Sequence, residues 1–147
     1  FATASMETIL YMRSYSSTYN FSCAPSPPVV TGLIKAMEIM EREGKERRAK
    51  LWENIHYFKG ALDRLGLDTG ESASQVIPII LGVDRIKLYK IADAFKRRGL
   101  FVQPVDFPAV PLDGTRFRIS MSTNFEKEHL DRALEIIEDV LIRGNLD

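Results

Sequence analysis

The sequence predicts an α+β fold, with helices packed on one face of a small, mainly antiparallel sheet. Three observations predict it. Apolar residues recur every three or four positions through stretches at 27–44, 45–65, 85–98 and 126–142, the period of a helix with one apolar stripe. The run Val76-Ile77-Pro78-Ile79-Ile80-Leu81 is instead continuously apolar, and 115–122 alternates apolar with polar at every residue, both signatures of strands. From residue 45 the order reads helix, strand, helix, strand, strand, helix, which suits a sheet covered on one side.

Each element has its own justification. A short helix is expected at 6–14, followed by a polar and aromatic stretch at 15–20. Pro25, Pro27 and Pro28 force extended backbone before each of them. Ser26 is placed to cap a helix whose first turn holds Pro27 and Pro28, where a missing N–H costs nothing. That helix carries Val30, Leu33, Ile34, Met37 and Met40 as a stripe expected to be buried, and Gly44 reads as its stop or as a hinge. The next stripe is Leu51, Ile55, Phe58, Leu62 and Leu65, terminated by Gly66. Pro78 places the strand at 76–81 on a sheet edge or at a bulge. A helix at 85–98 buries Leu88, Ile91, Ala92 and Phe95 and ends at Gly99; a second strand follows at 100–105, then a proline-rich loop at 106–114. In the strand at 115–122, Phe117, Ile119 and Met121 share one face, and Arg116, Arg118, Ser120 and Ser122 the other. The last helix, 126–142, is expected to bury Leu130, Ala133, Leu134, Ile137, Val140 and Leu141, with Asn124 or Thr123 as its cap.

Composition narrows the function. The chain has 147 residues, enough for one ordinary domain that buries roughly 68–70% of its unfolded surface without staples. Twenty basic residues balance twenty acidic ones, which argues against a nucleic-acid or membrane-surface partner. A single cysteine, Cys23, excludes a disulfide framework and a multi-cysteine metal site. His56 and His129 lie in helical stretches with no second ligand at metal spacing, so no metal is expected. No apolar run reaches the roughly 18 residues of a membrane span, and the expected location is cytoplasmic. The chain opens on Phe1-Ala2-Thr3-Ala4 without an initiator methionine, which reads as part of something larger.

Two places could carry chemistry. Arg116 and Arg118, one residue apart on a strand, project the same way and offer planar donor forks for a carboxylate or phosphate. The plainer alternative is a surface arginine paired to a helix carboxylate. Ser22, Cys23 and Ala24 precede a helix start and could meet an anion there, capping being the plainer alternative. No Gly-rich phosphate loop is present.

Together these segments resemble a known family. Phe21-Ser22-Cys23-Ala24-Pro25-Ser26-Pro27-Pro28 is similar to the F-[ST]-[ST]-[AS]-L-P-P segment of the α-oxoamine synthases, pyridoxal-phosphate enzymes of the aminotransferase class II group. Phe101-Val102-Gln103-Pro104-Val105, with Phe107-Pro108-Ala109-Val110-Pro111, resembles their V-x-x-I-x-x-P-[AT]-V-P. Gly114-Thr115-Arg116-Phe117-Arg118-Ile119-Ser120-Met121-Ser122 resembles their G-x-x-x-[LF]-R-[IL]-[ST]-x-[ST]. The segments stand in family order and cover most of the chain. The first has one residue more than the family's, and Cys23 stands where serine or threonine is usual.

The resemblance implies the C-terminal portion of a fold-type I enzyme such as 8-amino-7-oxononanoate synthase, 2-amino-3-ketobutyrate ligase or serine palmitoyltransferase. Residues 1–28 would be the tail of a preceding large domain and a linker, and 29–147 a small C-terminal domain. The complete enzyme would condense an amino acid with an acyl-CoA thioester on pyridoxal 5'-phosphate, as a homodimer. Arg118 would hold the amino-acid carboxylate with Arg116 as a weaker helper. Ser22 and Cys23 would lie near the cofactor phosphate of the other subunit. The family's Schiff-base lysine lies upstream, and none of the eight lysines here follows a residue of its usual context, so this chain alone is expected neither to bind the cofactor nor to catalyse. A class I or II aminotransferase and a non-catalytic interaction module remain as alternatives.

Overall fold

The structure is a computed structural model and describes residues 3–146. It divides into two compact units, Phe1–Arg42 and Glu43–Asp147. In the first, helix α1 (Met6–Tyr15) is capped by Ser5, whose Oγ accepts from the Thr8 N–H at 3.4 Å. A four-residue helix α2 (Ser17–Asn20) occupies most of the polar and aromatic stretch, and Asn20 Nδ2 ties it back to the Ser14 carbonyl at 3.1 Å.

Helix α3 (Pro27–Arg64) starts where the two prolines predict, with the Ser26 carbonyl accepting from the Val29 and Val30 N–H groups at 3.0 and 3.1 Å. Its 38 residues run unbroken through Gly44, which neither stops nor hinges it. An interior glycine costs about 1 kcal/mol of helix propensity. Strong helix formers on both sides, and the Glu43–Arg47 pair at 2.9 Å one turn apart, offset that cost. The stripe Val30, Leu33, Ile34, Met37 and Met40, expected to be buried, is solvent-exposed by 40–63%. A period of three and four establishes that a helix has an apolar face; it does not say which body covers it.

The second unit holds the core. Ile55, Phe58 and Leu62 of α3 are buried, and Gly66 ends the helix at φ +75°, with the Leu67 N–H reaching back to the Leu62 carbonyl. The sheet has three strands in the order β1-β3-β2, all antiparallel: β1 (Val76–Ile80), β2 (Gln103–Val105) and β3 (Arg116–Ser120). Pro78 thus lies on an edge strand, as its missing N–H requires. Helix α4 (Arg85–Arg97) is capped by Asp84, whose Oδ1 accepts from the Lys87 N–H at 3.0 Å. It sends Leu88, Ile91 and Phe95 into the core, where Phe95 meets Phe117 edge-on at 5.1 Å. The strand expected at 100–105 is shortened to β2. Val102 turns into the core, Phe101 stays exposed, and pairing stops at Gln103 opposite Arg118.

Helix α5 (Lys127–Ile137) continues into a π-helical turn, Glu138–Ile142. Its cap is Glu126 rather than Asn124 or Thr123. The Glu126 N–H donates to Nδ1 of His129 at 3.1 Å, while the Asn124 N–H is spent on the Ser122 hydroxyl in the preceding turn. Leu130, Ile137 and Val140 are buried, and Ala133, Leu134 and Leu141 are half-buried. Helices α3, α4 and α5 all reach the inner face formed by Ile77, Ile79 and Phe117, so the predicted α+β sandwich is the observed one.

Candidate carboxylate site on the central strand

The outer face of the sheet carries the polar residues, and strand alternation is the reason. In β3, Phe117 is fully buried and Ile119 packs against the core, which fixes the backbone and sends Arg116, Arg118 and Ser120 to the opposite side. Register then supplies neighbours: Arg118 stands directly opposite Pro78 on β1 and Gln103 on β2.

The two arginines differ in what they touch. Arg116 is half-buried, and its Nε donates to the Gly114 carbonyl at 2.8 Å. A Cβ on Gly114 would come within 3.0 Å of the same guanidinium. Arg116 is therefore committed to the turn that leads into its own strand. Arg118 is exposed, and among the described residues no hydrogen bond or ion pair engages it. A surface pairing to a helix carboxylate is not what the fold provides. Its fork, anchored through Phe117 and Ile119, stays available to a planar two-oxygen ligand.

Arg118 borders an open cleft of about 660 Å³, which also takes in Gln103, Ser120, Met121, Phe125 and Leu130. The cleft opens where β2 begins while β3 runs on. Its far wall is set by a residue that periodicity does not flag. Asn54, 4% exposed in the middle of α3, donates through Nδ2 to the carbonyls of Ser122 and Phe125 at 3.1 and 2.9 Å. This clamp fixes the turn between β3 and α5.

On the other side of the site, the 106–114 loop is tied to the start of α4. The Leu81 and Gly82 N–H groups donate to the Thr115 carbonyl, and Thr115 Oγ1 donates to the Val83 carbonyl at 2.6 Å. Arg85 Nε lies 3.1 Å from the Asp106 carboxylate. Gly82 adopts φ +59°, and a Cβ there would sit 2.9 Å from the Asp113 carbonyl oxygen, so only glycine allows this approach. Elsewhere, Tyr57 of α3 donates its hydroxyl to the Asp131 carboxylate on α5, a bond that raises the tyrosine pKa above its ordinary value. That contact joins two helices and lies outside the cleft.

Ser22 and Cys23 belong to the first unit. The Ser22 hydroxyl donates to the Tyr19 carbonyl at 3.3 Å, and Cys23 is an exposed free thiol. Neither stands in the first turn of α3, which begins at Pro27. All eight lysines lie on helices and none is buried; Lys35 and Lys59 are paired to Glu38 and Asp63 at 2.9 Å. A lysine that forms an imine with a cofactor needs a desolvated amine. None of the eight lysines is a desolvated amine within this chain, whereas Arg118 on β3 presents an unengaged guanidinium fork.

Comparison with known proteins agrees with the motifs. The family profile for aminotransferase class I and II matches residues 1–137. The chain belongs to that family. Within it, this family member is 40% identical over 131 residues to 4-hydroxy-2,2'-bipyrrole-5-methanol synthase PigH of Serratia sp., covering 89% of the chain and 20% of the relative. It is 42% identical over 114 residues to 8-amino-7-oxononanoate synthase of Symbiobacterium thermophilum, covering 78% of the chain and 29% of the relative. The fold matches serine palmitoyltransferase of Sphingomonas wittichii with a TM-score of 0.82 at 23% identity, over 95% of this chain and 35% of that one. It also matches 8-amino-7-oxononanoate synthase of Francisella tularensis, with a TM-score of 0.78 at 19% identity, over 96% and 41%. The chain thus spans between a fifth and two fifths of the length of these proteins. The resemblance to α-oxoamine synthases read from the motifs holds.

Sequence reasoning singled out Arg118, which the structure places at the cleft, and did not single out Gln103 beside it or Asn54 behind the turn. Gln103 acquires meaning only from register, and Asn54 only from carbonyls that lie 68 and 71 residues away.

Proposed function

We propose that this chain is the C-terminal portion of a pyridoxal-phosphate-dependent α-oxoamine synthase and that Arg118 grips the carboxylate of its amino-acid substrate. The observation that carries this reading is an exposed arginine without a polar partner among the described residues, projecting from the outer face of the central strand, inside a segment that resembles the family's carboxylate motif. Arg116, held by the Gly114 carbonyl, supports the strand entry and acts on the ligand less directly. The names of the relatives favour condensation of an amino acid with an acyl-CoA thioester over transamination. The cofactor, when bound by the complete protein, supplies the electron sink for that chemistry, and its lysine comes from outside this chain.

Residues 1–28 then act as the tail of a large domain and 29–147 as the small domain. Ser22 and Cys23 serve at the cofactor-phosphate side of a homodimer in the cytoplasm. The exposed Tyr15, Tyr19, Phe21 and the α3 stripe supply apolar surface for such an assembly. No helix among the described residues is long and apolar enough to cross a membrane.

The test is Arg118→Ala in the complete protein, with amino-acid affinity followed through the cofactor absorbance. Two charge-assisted hydrogen bonds are worth about 1.5–3 kcal/mol each before desolvation. Loss of the pair weakens amino-acid binding at least about ten-fold, since about 1.4 kcal/mol gives that factor, while cofactor content stays unchanged. Arg118→Lys restores little, because an ammonium cannot reproduce the fork. Unchanged affinity in Arg118→Ala, or a larger loss in Arg116→Ala, refutes the assignment.

A further inference from the structure

Arg118 does not face its ligand alone. On one flank its cross-strand neighbour is Pro78, whose ring has no polar atom to offer; on the other it is Gln103. Residues directly opposite in an antiparallel pair place their Cβ atoms about 4.5–5.5 Å apart on the same face. Gln103 is exposed, lines the same cleft as Arg118 and Ser120, and has no side-chain hydrogen bond among the described residues. Its amide carries an acceptor and a two-hydrogen donor on one planar group. An amide beside a guanidinium can accept one of its N–H groups and direct its own NH2 toward the same ligand. A planar carboxylate would then meet the arginine fork from below and the amide from the side.

We propose that Gln103 is a second carboxylate-contacting residue, which orients the Arg118 guanidinium through Oε1 and donates to the bound carboxylate through Nε2. The proposal rests on the Arg118 reading and deepens it: the site takes a small, planar carboxylate held by two residues of adjacent strands. Pro78 acts as the apolar wall that keeps the fork from swinging toward β1. β2 begins at Gln103, and the cleft opens there, so the amide stands at its mouth.

The experiment uses the complete protein, of which this chain is the C-terminal portion on that reading, and trifluoroacetate, a planar carboxylate that stays ionised through the acid range and is read by fluorine NMR. Trifluoroacetate titrates the natural chain with one saturating shift, and Arg118→Ala removes it. Gln103→Leu, of similar size but without donor or acceptor, weakens binding at least about threefold. Gln103→Glu places a carboxylate opposite Arg118, which pairs internally and excludes the ligand, so affinity falls at least about tenfold at neutral pH. Arg118 lowers the pKa of that introduced carboxyl, so binding returns once the pH falls below the ordinary glutamate value of about 4.3. If Gln103→Leu binds like the natural chain while Arg118→Ala does not, or if Gln103→Glu fails to recover at an acid pH where the natural chain still binds, Gln103 has no such role and the anchor stands. If Arg118→Ala leaves binding unchanged, the anchor itself falls and this inference with it.

Discussion

Replacing Asn54 by aspartate changes one atom and reverses a hydrogen-bond donor. The Asn54 amide is 4% exposed and its Nδ2 gives both hydrogens to backbone carbonyls, of Ser122 at 3.1 Å and Phe125 at 2.9 Å. Truncation to alanine removes two ordinary hydrogen bonds, worth about 0.5–1.5 kcal/mol each, so Asn54→Ala costs about 1–3 kcal/mol. At about 2–4 °C per kcal/mol for a chain near this length, the melting temperature falls by about 2–12 °C. Asn54→Asp is worse at neutral pH, because a buried carboxylate then faces two carbonyl oxygens with no cation to compensate it. Uncompensated buried charge costs about 3–5 kcal/mol. Burial and the two carbonyls favour the neutral acid, so the folded-state pKa of the introduced group is raised above its unfolded value of about 3.9. The penalty is therefore absent below pH about 3.9 and grows as pH rises, until the folded-state pKa is passed. Denaturant unfolding of the natural chain, Asn54→Ala and Asn54→Asp across acid to neutral pH measures this directly. Equal midpoints for Asn54→Asp and the natural chain at neutral pH, or a deficit that does not shrink in acid, refute the clamp.

Three further outcomes follow from the same geometry. Phe117→Ala, which empties a fully buried ring site packed edge-on against Phe95, costs about 3–5 kcal/mol in denaturant unfolding, and a loss below about 1 kcal/mol shows that β3 is not anchored there. Gly82→Ala imposes a left-handed alanine worth about 1–2 kcal/mol and pushes its Cβ onto the Asp113 carbonyl oxygen; amide exchange in the 106–114 loop accelerates, and an unchanged exchange pattern contradicts the tie. Leu33→Ser and Met37→Ser, on the exposed stripe of α3, leave the stability of this chain within about 0.5 kcal/mol by the same unfolding assay, and a loss above about 2 kcal/mol shows the stripe to be covered within the chain.

The elements that periodicity reads well are those whose apolar face is buried by their own unit. The α4 stripe of Leu88, Ile91 and Phe95, and the alternation of β3 around Phe117, appear in the structure as they read in sequence. Glycine stops were legible where φ turns positive, at Gly66 and Gly99, and misleading at Gly44, where the neighbours favour helix strongly enough to run through. The cap of α5 was misassigned because capping is decided between the Glu126 N–H and the His129 ring, and serine, threonine and asparagine just upstream imitate the same signal.

The sequence by itself determined the α+β class, the direction in which Arg118 points and the family motifs, because all three are local: strand alternation, helical period and short segments read in order. Only the tertiary structure decided which arginine was free. Arg116 and Arg118 are equivalent by alternation, and they separate only because the turn at Gly114 offers a carbonyl to the first and nothing in the described fold offers one to the second. The neighbours of Arg118 were likewise undecidable in sequence. Pro78 lies 40 residues before it and Gln103 15 residues before it, and strand register alone sets them on either side. Register is a pairing between distant segments, settled by which hydrophobic set reaches the core, so no window of neighbouring residues contains it.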